Sequence, residues 1–201
     1  MVVMPKLWTD TVATHREEVR QAVLDAAGQL VARDGLWAVS MSRLARAAGI
    51  GRATLYKYFA DAEEVLAAWH ARQVTVHLAD LATLAAESGD ASGRLRAALK
   101  RYAHICLQRS RHGGDVAAAL HRAPGVDDQH RQLQHLITDL IQEAATAGTV
   151  RADVPAEQLA GFCLAALTAA SPATSPDVVV QLVWTALTAS RASTVDFADS
   201  V

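Results

Sequence analysis

The sequence predicts an all-α fold, with an N-terminal three-helix unit containing a helix-turn-helix, then a C-terminal helical bundle, about nine helices in all. Three observations predict it. Apolar residues recur at helical spacing along most of the chain. The breaks between these stretches carry Gly, Pro, Asp, Ser and Thr of the kind that stop and cap helices. The composition is 51% hydrophobic, rich in Ala, Leu and Val, with 5% aromatics and five prolines, which suits helices that pack on one another. At 201 residues the chain is long enough for one domain or two small ones, and we divide it into 1–62 and 63–201.

Taken in order, residues 1–13 show no periodicity and read as a loose arm. A helix is expected from Thr14, because Thr14 and Glu17 fit a capping box. Val19, Ala22, Val23, Ala26, Ala27, Leu30 and Val31 form its apolar stripe, and Gly35 ends it. Residues 40–59 read SMSRLARAAGIGRATLYKYF. Ser40 caps a short helix that buries Leu44, Ala45 and Ala48, Gly49 supplies a turn, Ile50 plugs it, and a second short helix runs over 52–59 with Leu55 and Phe59 inward. Asp61 caps a long helix over 62–86 with Val65, Leu66, Trp69, Val76, Leu81 and Leu84 near one face. Further helices are expected over 91–111, 115–122 and from 127 to a stop at Gly148. The last two begin near Pro155 and Pro176, proline being tolerated in a first turn.

Charge narrows the function. The net charge is −2, so the global field gives no reason to expect nucleic-acid binding, and such an activity must rest on a local patch. Residues 40–59 are such a patch: Arg43, Arg46, Arg52 and Lys57 fall there and no Asp or Glu does. A short rigid helix, donors for base edges and flanking donors for phosphates are what a major-groove reader needs. Arg52 and Lys57 reach guanine acceptors or phosphates, Ala53 suits a thymine methyl, and Thr54, Tyr56 and Tyr58 offer hydroxyls. Ser42 and Arg43 begin the preceding helix. Ordinary packing is the plainer role for the tyrosines, and a solvated face for the arginines; their clustering without acids is the stronger sign.

The run from Leu44 to Phe59, with the acid-rich helix start after it, resembles the N-terminal domain of the TetR family of bacterial transcriptional regulators over about residues 14–70. The resemblance implies base contacts from Arg52, Ala53, Thr54 and Tyr56, with Ser42 or Arg43 joining, and phosphate contacts from Tyr58 and Lys57. It implies a homodimer that binds a palindromic double-stranded DNA operator as a repressor and is released by a small-molecule effector, with no cofactor. It also implies a ligand cavity in the later helices, for which Trp69, His70, Tyr102, Cys106 and Phe162 are candidates, although core packing is their ordinary role. Two positions depart from the family pattern. Gly51 stands where Ser or Thr usually caps the reading helix, and Ala62 where a Lys usually meets a phosphate. Affinity is then expected to lean on Arg43, Arg46 and the backbone amides at the long helix's start.

The last two helices are apolar on more than one face, with Asp177 almost the only charge between 158 and 190. Pairing with a second copy would bury both faces, and Leu167, Val179, Val183 and Leu187 are the expected contacts; the alternative is the centre of a monomeric bundle. An activator or effector-independent regulator of the same fold remains open, as does a helical-bundle enzyme or metal-binding protein. Against the last, none of the eight histidines forms HExxH or an i, i+4 pair, and P-loop, GxGxxG and GxSxG patterns are absent. Cys106 and Cys163 read as reduced core thiols, with a redox role the alternative. The start of the chain lacks a secretory pattern and no stretch is long and apolar enough for a membrane span, so a cytoplasmic location is expected.

Overall fold

The computed structural model describes residues 6–87, 89–111 and 126–189, with side chains over 14–87, 89–110 and 128–189. The described elements are helical: α1 (Lys6–Asp34), a 3-10 turn (Leu36–Ala38), α2 (Met41–Ala47), α3 (Arg52–Leu55), α4 (Ala62–Ala86), α5 (Ala91–Arg111), α6 (Val126–Thr146), α7 (Ala156–Leu167) and α8 (Pro176–Thr188). The helix expected over 115–122 lies outside the described residues. Among those described, no helix is long and apolar enough to cross a membrane.

Two elements differ from expectation. α1 begins at Lys6 rather than Thr14, because nothing in residues 6–13 breaks a helix and Pro5 stands just ahead, where a missing N–H costs nothing. α3 is one α-helical turn rather than two. After Leu55 the chain tightens to three-residue spacing, Lys57 N–H donating to Thr54 O at 3.0 Å and Tyr58 N–H to Leu55 O at 2.9 Å.

The chain forms two compact units that divide within α4, between Gln73 and Val74. In the first, Val23, Leu24, Ala27 and Leu30 of α1 close over Met41, Leu44 and Ala45 of α2, Leu55 and Phe59 around α3, and Val65 of α4. Gly28 lets Trp69 approach, since a Cβ there would meet the indole Nε1 at 2.9 Å. Arg72 ties α4 to α1 by an ion pair with Asp25 at 2.8 Å and a hydrogen bond to Gln21 Oε1 at 2.7 Å.

The second unit packs α5 against α6, α7 and α8, with α7 also on α6 and α8. Its core runs through Leu81, Leu95, Leu99, Ile137, Ile141, Cys163, Leu167, Val183 and Leu187. Arg94 pins the start of α5, donating to Ala85 O at 2.8 Å and pairing with Glu143 at 2.5 Å. Val76 is 49% exposed although its spacing suggested burial. It falls between the part of α4 that feeds the first core and the part, at Leu81, that feeds the second.

Both cysteines are free and buried. Burial pushes the Cys163 thiol up to about 12 and the Cys106 thiol above its ordinary value. Burial thus disfavours the thiolate, the form that reacts. A disulfide-exchange reagent at pH 8 should leave Cys163 unmodified in the folded protein and titrate it after denaturation in guanidinium. Fast labelling without denaturant would contradict that burial.

Candidate nucleic-acid interface

The interface starts with a cap. Ser40 has extended backbone, and its Oγ accepts from the Arg43 N–H at 3.4 Å, fixing where α2 begins. α2 ends in a Schellman turn: Gly49 takes φ 69°, its N–H donates to Arg46 O at 3.3 Å, and Ile50 N–H donates to Ala45 O at 3.0 Å. A side chain at position 49 would be strained in that left-handed conformation. Gly51 precedes α3 in an ordinary extended conformation and offers no side-chain cap. The space beside it is open, the nearest atom to a Cβ being Thr54 Oγ1 at 3.9 Å, so the missing cap is a choice of sequence rather than of space.

From this frame α3 presents a polar face. Leu55 and Phe59 are 0% and 1% exposed and lock the turn to the core. Arg52, Ala53, Tyr56 and Lys57 are exposed, while Thr54 and Tyr58 are half-buried. The Arg52 guanidinium lies 5.9 Å from the Tyr56 ring centroid and donates to its hydroxyl at 3.4 Å, so these two side chains are held as a pair. Ser42 is exposed on α2. The fold therefore brings Ser42, Arg52, Ala53, Thr54, Tyr56, Lys57 and Tyr58 together in one small unit.

Arg43 is differently placed. Its guanidinium donates to Ala38 O at 3.0 Å and to the Asp34 carboxylate, which also accepts from Arg33. The hydrogen bond from Arg33, joined by Arg43, holds the Asp34 carboxyl below the ordinary carboxylate range. Arg43 thus fastens α2 to the end of α1. The start of α4 carries its own cap. Asp61 Oδ1 accepts from Glu64 N–H at 2.8 Å, and Glu64 Oε2 accepts from Ala60 N–H at 2.6 Å. Of the two arginines expected to replace a Lys at position 62, Arg43 is committed to Asp34, while Arg46 is exposed and makes no ion pair among the described residues.

The structure adds two residues that the sequence reading passed over. Arg16 and Arg20 of α1 stand over the Tyr58 and Phe59 rings, 5.8 and 4.8 Å from the centroids. Their i, i+4 spacing was the available signal.

The remaining candidates divide between the units. Trp69 and His70 are half-buried in the first. In the second, Tyr102 and Cys106 are buried one turn apart on α5 beside Arg109, and burial, first of all, raises the Tyr102 hydroxyl well above its usual range. Phe162 points outward, 49% exposed. Leu167, Val179, Val183 and Leu187 are 0 to 5% exposed within a single chain. They belong to the core of the unit rather than to its surface. The outward apolar side chains of α7 and α8 are Phe162, Val178 and Leu182, the last 66% exposed. Among the described residues, no group of three or more His, Cys, Asp or Glu is placed to hold a metal ion.

Residues 23–69 match the family model described as bacterial regulatory proteins, tetR family. Over these residues the chain is similar to the tetR family. The tetR match spans α2 and α3 with the second half of α1 and the start of α4, the segment whose geometry is given above. A curated relative, the HTH-type transcriptional repressor LfrR of Mycolicibacterium smegmatis, is 39% identical over 87 residues, 43% of this chain and 42% of that protein. The chain thus aligns with less than half the length of that relative. Two solved structures share the fold across both units. A TetR/AcrR-family transcriptional regulator from Thermobifida fusca superposes with a TM-score of 0.71 at 21% identity, covering 87% of this chain and 98% of that one. The regulator FadR from Bacillus subtilis, in complex with stearoyl-CoA, gives 0.61 at 13% identity, covering 83% and 98%.

Proposed function

We propose that this chain is a DNA-binding transcriptional regulator of the tetR type, a repressor that reads a palindromic duplex as a homodimer. The observation that carries the reading is the face of α3. Arg52, Tyr56 and Lys57 stand exposed around Ala53 on a turn locked by Leu55 and Phe59, and no acidic residue lies between 40 and 59. Guanidinium and ammonium donors beside a small apolar side chain match guanine edges and a thymine methyl in a major groove. The similarity to a repressor in this same segment supports it.

Dimerisation supplies the second reader. Phe162, Val178 and Leu182 are large apolar groups exposed in a single chain, and a two-fold contact buries each against its copy. The two reading helices then meet half-sites about one helical turn apart. In the second unit the polar group of Tyr102, Cys106 and Arg109 within an apolar core suits a small-molecule effector, as the stearoyl-CoA complex of a regulator of this fold illustrates. An effector that prefers the DNA-free state lowers DNA affinity by its differential binding energy, and DNA weakens effector binding equally. The chain acts in the cytoplasm, on DNA, and performs no catalytic step.

Selection of duplexes from a random pool by the purified protein tests this. Enrichment of a two-fold symmetric sequence is expected. Arg52→Ala and Tyr56→Phe should each weaken binding to the selected duplex by about 1–3 kcal/mol, without loss of helicity by circular dichroism. Unchanged affinity in both would remove α3 as the reader.

A further inference from the structure

The face of α3 needs phosphate contacts beside it, and the chain has closed off two of the usual places. At the start of α4 the Asp61 carboxylate accepts from the Glu64 N–H, the Glu64 carboxylate turns back on the Ala60 N–H, and Glu63 stands exposed next to them. A phosphate meets negative charge there. Arg43 is spent on Asp34 and Ala38 O. On the α1 side the charge is reversed. Arg16 is exposed with its guanidinium 5.8 Å from the centroid of the half-buried Tyr58 ring, and Arg20 lies 4.8 Å from that of Phe59. Neither arginine makes an ion pair with a carboxylate among the described residues. The neighbouring acids are turned to other partners: Glu17 accepts from Gln21 Nε2 at 2.6 Å, and Glu18 lies 3.7 Å from His15 Nδ1.

We infer that Arg16, seated on Tyr58, is a phosphate contact of the DNA complex, and that Arg20, seated on Phe59, holds α1 in place behind it. The inference rests on the DNA-binding reading of α3 and deepens it. A guanidinium stacked on a ring has part of its freedom already removed, is more weakly hydrated than an ammonium, and keeps its edge donors for a phosphate oxygen. Tyr58 presents a hydroxyl at the same place, so ring and guanidinium address one stretch of backbone. This contact carries no sequence information; it positions α3, which does the reading.

Salt dependence tests the contact, using a duplex selected by the wild-type protein and a mixed-sequence duplex of equal length. Each phosphate contact contributes about 0.9 to the slope of log affinity against log salt, so Arg16→Gln in a dimer should lower the slope by about 1.8. At 0.15 M salt that corresponds to roughly thirtyfold weaker binding from counterion release alone, similar on both duplexes. Arg16→Lys should recover most of the slope, and the thermal midpoint of both variants should stay at the wild-type value. A wild-type slope retained by Arg16→Gln overturns the inference and leaves the α3 reading standing. Weaker binding with a lowered midpoint, an unchanged slope and no recovery by Lys also overturns it, since Arg16 would then only support α3. If the wild-type protein shows no salt-dependent binding to either duplex, the DNA-binding reading fails, and the contact with it.

Discussion

A Leu182→Arg protein is expected to elute as a folded monomer and to bind a palindromic duplex roughly 10²–10⁴-fold more weakly, the gain lost when two linked readers become separate ones. The size of the effect follows from where Leu182 sits. Its side chain is 66% exposed in the single chain, so an arginine there keeps its hydration and the unit keeps its core. In a two-fold dimer formed by this face the same position is buried twice, and two unpaired guanidinium groups then cost several kcal/mol each. Val183 and Leu187, 1% and 0% exposed, behave differently. A charge at either should lower the thermal midpoint of the unit itself, because it is buried before any partner arrives. Size-exclusion chromatography with light scattering, read beside the melting curves, separates the two cases. A Leu182→Arg protein that still elutes as a dimer places the interface on another face.

This contrast shows what the sequence can and cannot carry. The stops and starts at Gly49, Asp61, Pro155 and Pro176 announce the helices, and α4, α7 and α8 begin where the Asp61 cap and the two prolines say. Reading a side chain's direction is harder when both faces of a helix are apolar. In α8, Val179, Val180, Val183 and Leu187 point inward while Val178 and Leu182 point out, and helical spacing alone favours neither set. Arg43 is a second case. Its position at the start of α2 suggests a DNA contact, but the Asp34 carboxylate that claims it lies on α1, across the 3-10 turn, and only the fold brings them together. Arg16 and Tyr58 are a third, far apart in the chain and stacked in the structure. Patterns of local spacing reveal elements and caps; pairings between elements follow from packing.

Phe59→Ala should lower the stability of the first unit by about 3–5 kcal/mol, the range for removing a buried aromatic ring. The ring is 1% exposed and packs in a core shared by α1, α2, α3 and α4, so the space left cannot close without moving a helix. A unit of this size carries few kcal/mol to spare, and its melting should separate from that of the second unit, whose core is its own. Two transitions by circular dichroism are expected in place of one, the first displaced downward by more than about 10 °C. Phe59→Leu, which keeps most of the volume, should shift it far less. A single transition at the wild-type temperature would mean that the ring is not a support of the unit. DNA binding should suffer more than stability does. α3 is one turn long, too short to hold its shape alone. Its form depends on two anchors, Leu55 and Phe59, and the second also carries the Arg20 guanidinium. With one anchor gone, the side chains from Arg52 to Lys57 must be ordered again at each encounter with DNA, and that ordering entropy is subtracted from affinity even at temperatures where the rest of the unit stays folded.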